Sequence, residues 1–253
     1  MRKPLIAGNW KMYLDRQSGV ELAKRLVAET EGIEDRDILI CPGFPLLSDV
    51  GNAIEGSGIM LGAQNMYFEK EGAFTGEVSA DMLLSVGCKY VIVGHSERRH
   101  VFHESNEEIN KKVISAIQSG LKPILCVGEL LEEREKGSTK GVVEEQLTRG
   151  LKGVTVKGIR SVVIAYEPVW AIGTGKTATP RDADDVQGFI RSVLGDLYGE
   201  EIAQSTLILY GGSVKPENID GLMGMDNIDG VLVGGASLKA ESFSRIIKYQ
   251  ISN

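Results

Sequence analysis

Three side chains in this 253-residue sequence supply a base, an imidazole and a cation: Glu167, His95 and Lys11. Glu167 stands in AYEPVWAIGTGKTA, directly after an apolar run. A carboxylate there can act as a general base if closure excludes water and raises its basicity; it can equally be a surface glutamate or a helix-capping acid. His95 opens GHSERR, with Glu97, Arg98 and Arg99 behind it. An imidazole at the N-terminus of a helical turn has its pKa lowered and can donate a hydrogen bond while neutral. A lone histidine after an apolar strand can instead be purely structural, and the two arginines read as structural ion-pair partners. Lys11, with Asn9 two residues earlier, can bring positive charge and an amide donor to an oxygen on which negative charge develops. The plainer alternative is a solvated lysine.

The stretch Pro168, Val169, Trp170, Ala171, Ile172, Gly173, Thr174, Gly175, Lys176, Thr177 and Ala178 has a rigid beginning and a small, glycine-rich centre. Proline fixes φ and glycine frees it, so the composition suits a lid that moves as a unit. An ordinary strand-to-helix connection is the alternative. GTGKT within it imitates a nucleotide-binding loop, but that pattern needs glycine at position 170, where the chain has Trp170. Two further glycine turns, YGGS (Ser213 at its end) and VGGAS (with Gly234 and Gly235), bring backbone N–H groups together where an anion can approach. Ala236–Ser237 reads as the opening of the last helix.

Elements must bring these residues to one place. Near-continuous apolar runs recur at Pro4–Gly8, Asp37–Cys41, Ile59–Ala63, Tyr90–Gly94, Pro123–Gly128, Val162–Tyr166, Leu207–Tyr210 and Gly230–Gly234. Such runs read as parallel strands buried on both faces. Between them, helical spacing is clearest at Ser18–Thr30, Ser105–Ser119, Lys140–Gly150 and Asp182–Leu197, and Ser105 with Glu108 forms a capping box. Eight alternations predict an α/β fold, a single (β/α)8 TIM barrel with parallel strands as one domain over residues 1–253. An open doubly wound sheet is the alternative, but it has fewer strands per domain. In a barrel, the carboxyl ends of the strands carry the chemistry. Asn9, Lys11, His95, Glu97, Glu167, Ser213, Gly234 and Gly235 all fall there. That inventory fits proton abstraction beside a carbonyl on a phosphorylated substrate.

Composition narrows the partners. The net charge is −7 with a sequence pI near 5.2, which gives no footprint for nucleic acid, and no apolar run is long enough to span a membrane. Cys41, Cys88 and Cys126 are widely spaced with no CxxC pair, arguing against a disulfide framework or structural zinc and for a cytoplasmic setting. From Gln64 to Ser79 the chain lacks an apolar period yet carries Tyr67, Phe68 and Phe74. An ordered loop with exposed aromatics is a candidate subunit contact.

AGNWKM (Ala7–Met12), GAQN (Gly62–Asn65), GAFTGE (Gly72–Glu77), VGHSERR (Val93–Arg99), AYEPVWAIGTGK (Ala165–Lys176), YGGSVKPEN (Tyr210–Asn218) and VGGASL (Val233–Leu238) together resemble the triosephosphate isomerase family across essentially the whole chain. A tuned histidine and a closing lid are established features of that family. The resemblance implies interconversion of dihydroxyacetone phosphate and D-glyceraldehyde 3-phosphate through a cis-enediol(ate), in glycolysis and gluconeogenesis. Glu167 matches the base, and His95 the neutral electrophile. Lys11 and Asn9 match the groups that stabilise the developing oxygen charge, and Glu97 a residue that pairs with the lysine. Gly173, Ser213, Gly234 and Gly235 match the main-chain phosphate grip. Thr75 matches a threonine that reaches a neighbouring subunit's site, implying a homodimer with a tetramer left open. No metal or organic cofactor is implied. Another phosphosugar barrel enzyme would share the glycine turns, and a non-catalytic phosphometabolite-binding protein would share the fold.

Overall fold

The computed structural model describes residues 2–172 and 178–251. Eight strands, β1 (Leu5–Asn9), β2 (Asp37–Cys41), β3 (Ile59–Ala63), β4 (Tyr90–Val93), β5 (Lys122–Val127), β6 (Val163–Tyr166), β7 (Ile208–Tyr210) and β8 (Gly230–Val233), pair in parallel and in chain order. The barrel closes by Leu5 pairing with Gly230 and Ile6 with Val231. The fold is the predicted (β/α)8 barrel.

Alternation within the strands explains why they read as unbroken apolar runs. Leu5, Ala7, Leu39, Cys41, Ile92, Ile124, Cys126, Ala165 and Leu209 pack with one another in one cluster. Their neighbours Ile6, Ile38, Ile40, Val91, Val93, Leu125 and Ile164 pack in another with residues from the surrounding helices. Both faces of each strand therefore need apolar side chains. The three thiols are free and buried; burial pushes the Cys88 thiol up to about 12 and moves Cys41 and Cys126 upward as well.

The helices are α1 (Arg16–Glu29), α2 (Leu47–Ala53), α3 (Ala80–Ser85), α4 (Ser96–His100), α5 (Asn106–Ser119) and α6 (Leu131–Glu135), then α7 (Thr139–Gly150), α8 (Val156–Ile159), α9 (Pro180–Tyr198), α10 (Glu200–Ser205), α11 (Ile219–Met223) and α12 (Ala240–Ile247). The predicted capping box is present: the Glu108 N–H donates to Ser105 Oγ at 3.2 Å, and the Ser105 N–H donates to Glu108 Oε2 at 3.0 Å. Two predicted starts fall inside their helices. Ser18 is the third residue of α1, whose cap is Asp15. Asp182 is the third residue of α9, capped by Thr179 with proline in the first turn. In both cases an acid or hydroxyl that accepts a terminal N–H lies three residues upstream of the expected start. Ala236–Ser237 does not open the last helix either. Gly235–Leu238 forms its own 3₁₀ turn, and α12 begins at Ala240.

Candidate active site

Each candidate side chain leaves the carboxyl end of a strand. Asn9 ends β1, and its Oδ1 accepts the Lys11 N–H at 3.0 Å. This bond closes a turn in which Lys11 adopts a left-handed φ of 51°, a conformation few non-glycine residues hold. Gln64, just past β3, braces that turn by donating through Nε2 to the Lys11 and Cys41 carbonyls, both at 2.8 Å. The lysine stem then runs beside Gly234 and its Nζ reaches Glu97 Oε1 at 2.6 Å.

His95 caps α4. Its Nδ1 accepts the Glu97 N–H at 3.2 Å, so in the neutral ring the proton sits on Nε2. Nε2 lies 3.0 Å from Glu167 Oε1. Glu167 is 2% exposed, and its second oxygen accepts the Ser96 N–H at 2.8 Å. Burial works to raise the Glu167 pKa, but the imidazole, the Ser96 N–H and Lys11 outweigh it and hold the carboxyl below its usual value. For His95, burial works against the charged ring, while the Glu167 and Glu97 carboxylates favour it and prevail, so its pKa is raised. The downward shift expected from the helical turn is thus overridden while Glu167 lies against the ring.

Asn9, Lys11, His95, Glu167, Ser213, Gly234 and Gly235 line one cavity of about 650 Å³. Gly211 sits where a Cβ would fall 2.8 Å from Glu167 Cγ, and Gly128 where one would fall 1.8 Å from the Glu167 carbonyl oxygen. The base is therefore seated between two backbone positions that admit no side chain. The expected lid begins as a 3₁₀ turn over Val169–Ala171; Gly173, Thr174, Gly175, Lys176 and Thr177 lie outside the described residues.

Two residues at the site were given no role from the sequence. Gln64 stands in the GAQN motif and at the start of a loop, with no role given to its side chain. Glu129, fully buried after β5, accepts from Tyr166 Oη at 3.1 Å and from Trp170 Nε1 at 2.9 Å. Both are polar residues following a strand's carboxyl end, the signal that could have singled them out. Arg98 pairs with Glu104 as an ion-pair partner. Arg99 departs from that reading and donates mainly to carbonyls, those of Gly94 at 2.8 Å and Cys126 at 2.9 Å. Thr75 is exposed in the loop between β3 and α3, where Tyr67 packs on Phe68 and Phe74 at centroid separations of 4.2 and 4.7 Å. Among the described residues no group of three or more His, Cys, Asp or Glu side chains could hold a metal ion. No helix among them is long and apolar enough to cross a membrane.

A sequence model of the triosephosphate isomerase family matches residues 4–250. A protein named triosephosphate isomerase from Carboxydothermus hydrogenoformans is 58% identical over 251 residues, covering 99% of this chain and 100% of its own. Proteins of the same name from Endomicrobium trichonymphae (53% identical, 98% and 99% covered) and Herpetosiphon aurantiacus (51% identical, 99% and 100% covered) are similar along their whole lengths.

Proposed function

The chain belongs to the triosephosphate isomerase family and is an isomerase of triose phosphates, and from that premise we propose how its own residues carry the reaction. The observation that supports the assignment most is the 3.0 Å approach of His95 Nε2 to Glu167 Oε1, on the cavity that also holds Lys11 and the two glycine turns. Glu167 removes a proton from the carbon beside the substrate carbonyl. His95 donates from Nε2 to the carbonyl oxygen, Lys11 and Asn9 stabilise the charge developing there, and an enediol(ate) forms. His95 moves a proton between the two oxygens, and Glu167 returns its proton to the neighbouring carbon. Dihydroxyacetone phosphate and D-glyceraldehyde 3-phosphate are interconverted with no net gain or loss of protons. A base and hydrogen-bond donors suffice, so no cofactor enters.

Both Glu167 oxygens are engaged in this arrangement, so it is a resting state. Substrate must draw the carboxylate off Ser96 and His95 before it can reach a C–H bond. Once Glu167 has taken the proton its charge is gone, and with it the main influence favouring imidazolium. Burial and the Glu97 N–H on Nδ1 then keep His95 neutral. Glu97 holds Lys11 in place. The N–H groups around Ser213, Gly234 and Gly235 take the phosphate, with Gly173 contributing from the lid.

The protein works as one domain and as a homodimer at least. Met12 is 96% exposed, and Phe74, Met82, Val101 and Phe102 are exposed apolar side chains, a surface suited to a second copy. Thr75 sits among them in sequence. Its free, buried thiols suit the cytoplasm. The test is turnover of D-glyceraldehyde 3-phosphate coupled to NADH oxidation by glycerol-3-phosphate dehydrogenase. A folded protein that binds a phosphorylated analogue but shows no turnover would overturn the catalytic roles.

A further inference from the structure

The cavity of about 650 Å³ lies within the roughly 300–1,000 Å³ of pockets that take drug-sized ligands, more than a three-carbon monophosphate fills. Besides Ser213 and Gly235, Lys215, Glu217, Lys239 and Ser242 also line it, and all four lie in the chain segments just past the two glycine turns. The loop carrying Lys215 is braced: its N–H donates to Asn218 Oδ1 at 2.8 Å, and Asn218 Nδ2 donates to the Ser213 carbonyl at 2.9 Å. Lys215 is therefore fixed to the same turn that is read as gripping phosphate. Both lysines are exposed. Of the nearby acids, Glu241 pairs with Arg25, while Glu217 lines the same cavity. Two lysines against one acid in this lining, on a chain of net charge −7, make a local site for negative charge against the field of the whole protein.

We propose that this lysine-bearing part of the cavity is a second anion subsite. A diphosphate group spans it, with one phosphoryl unit on the glycine turns and the next between Lys215 and Lys239, and so competes with the triose phosphate. The inference rests on the reading of Ser213 and Gly235 as the phosphate grip and adds a ligand class to it. The binding is noncovalent and Glu217 opposes it, so removing that charge should strengthen it.

Competition is measured in the isomerase assay at low ionic strength and without divalent metal, using inorganic phosphate, inorganic pyrophosphate and ADP. The expectation for the wild type is pyrophosphate binding about tenfold tighter than phosphate, the size two exposed charge contacts can supply. Charge alone favours pyrophosphate, so the deciding quantity is the phosphate-to-pyrophosphate ratio among variants whose folding is checked by circular dichroism. Lys215→Gln with Lys239→Gln should reduce the ratio about five- to tenfold, and Glu217→Gln should raise it. Lys24→Gln with Lys248→Gln, which removes the same charge from exposed positions elsewhere, should leave it unchanged. Equal ratios in the two double variants would overturn the subsite. With phosphate competing, ADP matching pyrophosphate would assign the cleft to diphosphate esters, and pyrophosphate competing tightly where ADP does not would assign it to the free anion. If phosphate itself fails to compete in active wild-type protein, the reading of the glycine turns falls, and the subsite with it.

Discussion

Gly211→Ala tests whether the position of the Glu167 carboxylate governs turnover. Gly211 has no left-handed φ, so alanine is compatible with its backbone. The new methyl would stand 2.8 Å from Glu167 Cγ and 3.3 Å from the Tyr166 carbonyl oxygen. Ordinary carbon contacts begin near ~3.5 Å, so the Glu167 side chain must retreat by about 0.7 Å or the loop must shift with it. A misplacement of about 1 Å at a reacting group can cost roughly 10²-fold, so kcat should fall about 10- to 10²-fold. Gly211 also belongs to the YGGS phosphate turn, so KM should rise where the loop shifts, and kcat at saturating substrate is the quantity that reports the position of the base. Stability should fall by about 1–3 kcal/mol from overpacking, partly offset by the lower entropy of the unfolded alanine chain. The coupled NADH assay with a thermal melt measures both. Wild-type kcat in a folded Gly211→Ala protein would refute the argument that this glycine exists to seat the base.

Glu167→Gln should fold and keep binding a phosphorylated analogue while kcat falls by roughly 10²–10⁴-fold; near-normal turnover would remove Glu167 from the role of base. Thr75→Arg should weaken self-association and lower activity together, as read by sedimentation velocity and the coupled assay, because it sends a charge into the proposed contact. Ser105→Ala removes the cap of α5 and should cost about 1 kcal/mol, a melting shift of about 2–4 °C. The Ser105 N–H is the first cause of the lowered Glu108 pKa. A carboxyl with a depressed folded pKa adds stability above its unfolded pKa and loses it as pH falls through the folded one. The Glu108 contribution to the capping box should therefore be present at neutral pH and fade below about pH 4, which melts of wild type and Glu108→Ala across pH will show.

Much of the fold was legible because the barrel demands apolar residues on both strand faces, and runs such as Asp37–Cys41 satisfy that demand locally. Helix starts were less visible, since Asp15 and Thr179 act from outside the periodic segment that marks the helix. At the site, residue types at strand exits pointed to Glu167, His95 and Lys11. Their electrostatics did not follow from local sequence. The turn at His95 argued for a lowered pKa, while the carboxylate that reverses it comes from β6, far along the chain. Gln64 and Glu129 escaped for the same reason: each acts on groups that only folding brings near it.

The ring of strands has a consequence for synthesis. β1 hydrogen-bonds to β8 through Leu5 and Gly230, partners far apart along the chain. Until the last strand leaves the ribosome, the growing sheet carries two unpaired parallel edges, each a template for illegitimate pairing. A chain that ends between Tyr210 and Gly230 therefore has most of its apolar core, its base and its imidazole, but no closed wall. Such a fragment exposes apolar surface and unpaired strand edges, the features that make incomplete chains prone to aggregate and that chaperones exist to cover.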